Sequence, residues 1–147
     1  MHFTDIKTTK VFADNLGIAW RELVEKLESE VEFTIDGSPG EYRFIATSYI
    51  DAIMQDELES DKYFLGCFNA NFLTHILNAP IEAIEAMQKA EAYEALGIWI
   101  IQSGKIEELQ QKYVSADGYG HYFASYDSNE LELTLEDQGL FHVFRTN

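Results

Sequence analysis

Cysteine is almost absent from this chain: Cys67 stands alone, which excludes an internal disulfide and any zinc cage built from paired cysteines. Proline is nearly as scarce, and no stretch rich in Gly, Pro or Ser reads as a linker, so residues 1–147 are expected to form a single acidic domain. Long apolar runs are missing too. The longest, Leu96 to Ile101, falls far below the roughly 20 residues that a bilayer-spanning helix requires, and the start Met1-His-Phe-Thr-Asp-Ile-Lys lacks the apolar core of an export signal. A protein of the cytoplasm, without membrane contact, is the expectation. Positive charge is the last scarcity: 10 Lys plus Arg face 26 Asp plus Glu, a formal net charge of -16. Such a field repels phosphate backbones and favours basic partners, so no direct nucleic-acid contact is expected.

Apolar and aromatic residues are plentiful, at 46% and 14%, which supplies a core and separates this acidity from that of a disordered tail. The clearest pattern is Glu130-Leu-Glu-Leu-Thr-Leu-Glu136, whose alternation sends Leu131, Leu133 and Leu135 one way and Glu130, Glu132, Thr134 and Glu136 the other. Gly120 to Asp127 before it reads as a strand, with Ser128-Asn129 as a turn. Leu140 to Thr146 after it reads as another, reached through Asp137-Gln-Gly139. The same design occurs earlier, in Glu30-Val-Glu-Phe-Thr-Ile-Asp36, followed by the turn Gly37-Ser-Pro-Gly40 and a returning strand from Glu41 to Ser48. An N-terminal hairpin and a C-terminal three-stranded meander merge most economically into one sheet. The expected fold class is therefore α+β, an antiparallel sheet of about five strands with four or five helices on one face.

Helical spacing places Phe12, Leu16, Trp20, Leu23, Val24 and Leu27 on one side of a helix over 11–28, interrupted in its first half by Gly17. Residues 49–60 read as a second helix buried through Ile50, Ile53 and Met54, with Leu58 a further candidate. Its end gathers Asp56, Glu57, Glu59 and Asp61, where the helix dipole disfavours negative charge. A short helix with Asn69 or Asn71 as its cap precedes Pro80, and 81–96 reads as a long helix stopped by Gly97. Ile98 to Ile101 fits a helical turn or a short strand. Ser103 is placed to cap a last helix over 105–113, and Ser115 to Gly120 reads as a loop.

Chemistry-bearing groups form no recognised spacing. His75, His121, His142 and Cys67 lack the separations of a metal site, so neither a metal nor a cofactor is expected. His142 is read as a packed or surface imidazole, His121 as bonded to a neighbour such as Glu136, and Cys67 as a small buried thiol. The succession of helices across Pro80 superficially outlines a helix-turn-helix, but its second helix opens with Glu82 and Glu85 where base and phosphate contacts need Arg, Lys, Asn or Gln. Asp117-Gly-Tyr-Gly120 lacks the lysine of a phosphate loop. Carboxylate pairs are too abundant in so acidic a chain to mark a catalytic site, and a non-enzymatic role is expected.

Gly118-Tyr-Gly-His-Tyr-Phe-Ala-Ser-Tyr-Asp127, with the acidic strand and the ending Phe144-Arg-Thr-Asn147, resembles the C-terminal ends of small proteins carried by bacteriophages and other mobile elements, over about the last thirty residues. The resemblance implies a setting, the bacterial host cytoplasm, and carries over no functional residues. Small acidic proteins of that setting resemble inhibitors of host defence nucleases that present carboxylates where DNA phosphates would lie. The expected role is thus an anti-defence, DNA-mimic-like protein that occupies a basic nucleic-acid-binding surface on a host protein. Its partner-binding residues would be Glu30, Glu32, Asp36, Glu130, Glu132 and Glu136 on the sheet, with Asp56, Glu57, Glu59 and Asp61 as a second patch. Adjacent strands would join their carboxylate rows into one field. Two alternatives stand beside it. One is a small enzyme using His121, His142 and a carboxylate in a sheet-helix crevice, and the other an assembly subunit forming homo-oligomers through Trp99, Tyr119 and Tyr122.

Overall fold

A computed structural model describes all residues from Met1 to Asn147. In chain order the elements are α1 (Phe3–Leu16), α2 (Trp20–Ser29), β1 (Glu32–Asp36), β2 (Glu41–Ala46), α3 (Thr47–Glu59), α4 (Lys62–Gly66), α5 (Ala70–Leu77), α6 (Ile81–Lys89), α7 (Tyr93–Gln102), α8 (Ile106–Phe123), β3 (Leu131–Leu135) and β4 (Gly139–Arg145). The class is α+β, with four strands where about five were expected and eight helices where four or five were. Packing divides the chain into two compact units. One joins Met1–Ile50 to Asp117–Asn147, and the other is the helical stretch Asp51–Ala116.

The first unit is built on an antiparallel sheet of order β1-β2-β4-β3. Alternation sends Phe33, Ile35, Tyr42, Phe44, Phe141, Val143, Leu133 and Leu135 to an inner face, where they pack with Ala13 of α1 and Leu23 and Leu27 of α2. Phe33 lies stacked on Phe44, ring centroids 4.9 Å apart. The predicted helix over 11–28 is two helices. Gly17 ends α1 in the left-handed conformation, φ 66°, and a Cβ there would lie 2.6 Å from the Ser38 carbonyl oxygen, so glycine is required by conformation and by space.

The outer face is covered as well, against the expectation of helices on one side only. Ile45 and Phe144 are fully buried there, and Phe123, from the last turn of α8, packs on Phe144 at 5.1 Å. This corrects the strand expected from Gly120 to Asp127. Tyr119, Tyr122 and Phe123 follow the i, i+3, i+4 spacing of a helix, and Tyr119 and Phe123 lay their rings on His142 and Phe144 of the sheet. The C-terminal meander is consequently a two-stranded hairpin. α8 departs from helical geometry at Gly118, next to the point where the chain passes from the helical unit back to the first.

In the helical unit the expected burial of α3 and the Asn69 cap recur. Ile50 lies at its entry, and α3 buries Met54 and Leu58; Asn69 caps α5 by accepting from the Asn71 amide at 2.8 Å. Asp61 accepts from the Phe64 amide at 3.1 Å, so one member of the acidic cluster serves as an N-cap for α4 and sits where the dipole favours it. The long helix expected over 81–96 is broken between α6 and α7, with Glu91 at φ 59°. Gly97 is not a stop but the interior of α7. A Cβ on it would lie 2.0 Å from the Lys62 carbonyl oxygen, so its bare backbone is what lets α7 cross α4 closely. Tertiary packing overrides the helix propensity of Ala90 to Ala95. Ile98 to Ile101 is helical, and Ser103 closes α7 by donating to the Trp99 carbonyl at 2.7 Å, instead of opening α8. No helix is long and apolar enough to cross a membrane.

Candidate functional site

The densest grouping of chemistry-bearing side chains lies on the outer face of the sheet, around His142. Alternation along β4 sends Phe141 and Val143 inward and therefore His142 outward, yet the residue is only 6% exposed. It lies nearly parallel to Phe144 at 6.3 Å and is tilted against Tyr119 of α8 at 5.2 Å. A buried imidazole needs a partner at each nitrogen. Nε2 lies 3.0 Å from Thr47 Oγ1, and Nδ1 is in close contact with Glu130 Oε1. The register sets Glu132 directly opposite His142, and Glu130 falls two residues earlier on the same face. One ligand atom from each of Glu130, Glu132 and His142 lies within 4.8 Å of the others.

The acidic residues expected to face a partner are dispersed. Glu32 sits on β1 and Glu132 on β3, opposite edges of the sheet with β2 and β4 between them, roughly 14 Å apart at the usual strand spacing. The two rows do not form one field. Glu32 is paired with the Arg43 guanidinium, whose Nε donates to it at 2.7 Å and which also stacks 5.1 Å from the Phe123 ring. Glu30 faces Lys26 at 3.5 Å, and Glu130 is engaged by His142. Asp36, Glu132 and Glu136 have no Lys or Arg within ion-pair reach, nor have Asp56 and Glu59 in the helical unit. Asp61 acts as a cap, and the Glu57 carbonyl accepts from Ser60 Oγ at 2.7 Å. In the middle of the β3–β4 turn Asp137 meets His2 Nε2 at 2.8 Å, and Glu28 lies 3.5 Å from the N-terminal amine. Buried Asp5 accepts the Glu136 amide at 2.8 Å.

His121 is exposed on α8 and contributes no atom to the cluster around His142. A crevice of about 500 Å³ runs between α1 and β3, lined by Lys7, Val11, Phe12, Glu132 and Leu133 among others, and neither histidine reaches it. Cys67 is exposed, not buried as its size suggested. Beside it, the Tyr63 phenol is held above the ordinary tyrosine range, first by charge on Cys67, then by desolvation and by a hydrogen bond to the same thiol. Trp99 and Tyr122 are half-buried, and Tyr122 stands edge-on to Phe123 at 4.8 Å. Thr47 and Tyr119, which hold the buried imidazole, carry no signal in the linear sequence. No protein family, curated protein or solved structure matches this chain.

Proposed function

We propose that this chain is a non-catalytic acidic binding protein that occupies a basic, nucleic-acid-binding surface on a host protein, in the manner of a phage anti-defence inhibitor. The observation that carries the reading is the set of carboxylates without cationic partners, Asp36 and Glu136 at the sheet and Asp56 and Glu59 at the end of α3. Acidity is shared by both units, with fifteen Asp and Glu in the first and eleven in the second, so each unit by itself would attract a basic surface. Broad complementary charge accelerates encounter and weakens steeply with salt.

The test is capture from a bacterial lysate on immobilised protein, with duplex DNA as competitor. The reading expects one basic partner, displaced by DNA and by salt. Asp36→Asn with Glu136→Gln, or Asp56→Asn with Glu59→Gln, should weaken its capture. Glu82→Gln with Glu85→Gln removes the same charge from α6 and should leave it intact. Equal loss from all three pairs would reduce the effect to net charge, and capture indifferent to DNA and salt would end the proposal.

A further inference from the structure

We propose that Glu130, Glu132 and His142 form a binding site for a divalent first-row transition-metal ion. The expectation of no metal rested on spacing along the chain, whereas this cluster is assembled by register across the β3–β4 hairpin. Three donors, one imidazole nitrogen and two carboxylates, lie with one atom each inside 4.8 Å. Ligand bonds of about 2.0 to 2.2 Å place donor atoms about 3 to 4 Å apart, which modest rotation of two exposed glutamates reaches.

The histidine separates this group from the other acidic clusters of the molecule. Asp56, Glu57, Glu59 and Asp61 have no nitrogen donor among them, and the exposed carboxylates of Asp56, Glu59 and Asp61 need no ion. His142 is instead buried and held in one orientation. Phe144 and Tyr119 pack against the ring, and Thr47 Oγ1 at 3.0 Å engages Nε2, which aims Nδ1 at the glutamates. A hydrogen bond at the far nitrogen is the usual means of fixing the tautomer and orientation of a ligating histidine. On binding, Nε2–H donates to Thr47 Oγ1, the Nδ1 lone pair enters the metal, and any proton displaced from Nδ1 passes to solvent. Two carboxylates then balance the dipositive charge. Nitrogen and oxygen donors without thiolate suit zinc or manganese, and three protein ligands leave the remaining positions open to water.

The partner strand pair supplies the contrast. Glu32, the counterpart of Glu132, meets the permanent cation Arg43, which cannot ligate a metal.

The test uses the full chain after chelator treatment, titrated with zinc chloride by calorimetry, with manganese broadening of NMR signals to locate the ion. The expected result is one saturable equivalent, with broadening centred on Thr47, Tyr119 and His142. Glu132→Gln and Glu130→Gln, both at exposed positions, should each weaken zinc by at least about tenfold, and Thr47→Val by about 10- to 100-fold, while circular dichroism stays that of the parent. Asp137→Asn, which removes the carboxylate next to His2, should leave the affinity unchanged. Absence of a saturable equivalent, or affinity that survives both glutamate changes, would overturn the site.

Discussion

β1 and β3 carry almost the same sequence pattern, a hundred residues apart, and the fold uses them differently. Val31 and Leu131 are equally exposed at 44%, Phe33 and Leu133 are buried, and so are Ile35 and Leu135. Both are edge strands of one sheet. Their acidic faces diverge because their neighbours do. Arg43 neutralises Glu32 on one edge, whereas His142 gathers Glu130 and Glu132 on the other. A binary pattern therefore specifies which face is core but not what the polar face does; the strand alongside decides that.

The inward residues offer the largest expected differences. Phe33→Ala should cost about 3 to 5 kcal/mol, because it removes a ring stacked on Phe44, and Leu133→Ala about 2 to 5 kcal/mol. Denaturant unfolding of the two variants measures both, and a larger loss for Leu133 would place the weight of the core at β3 instead. The polar face comes next. Arg43→Ala strips the half-buried Glu32 of its partner and should cost about 1 to 3 kcal/mol, while Glu132→Gln should stay within about 0.5 kcal/mol in the metal-free protein. Equal costs would erase the distinction between the edges. The smallest effects belong to the exposed apolar pair: Val31→Thr and Leu131→Thr should each change stability by less than about 0.5 kcal/mol, and a larger loss at either would reveal a contact on that edge.

Much of the outline was legible in advance. The two alternating strands, the Gly37 to Gly40 turn, the Asn69 cap and the buried row of α3 all follow from local chemistry. The breaks did not. Helix propensity argued for continuity from Ile81 to Leu96, but the close passage of Gly97 over the Lys62 backbone required a separate α7. The aromatic content of 120–127 argued for a strand, but Tyr119 and Phe123 meet the sheet from a helix. The grouping around His142 lay partly within reach. Counting outward from the turn at Glu136 to Gln138, with Gly139 opposite Leu135, pairs Glu132 with His142.

What the sequence determined by itself was a set of faces. Alternation and helical spacing are properties of neighbouring residues, so Leu133 and Leu135 point inward whatever strand lies beside them. Only the tertiary structure decided that β2 and β4 separate β1 from β3, that Arg43 meets Glu32, and that Thr47 and Tyr119 hold the ring of His142. Those contacts join residues as much as 95 positions apart, and their partners are selected by the order in which strands and helices bury a shared core.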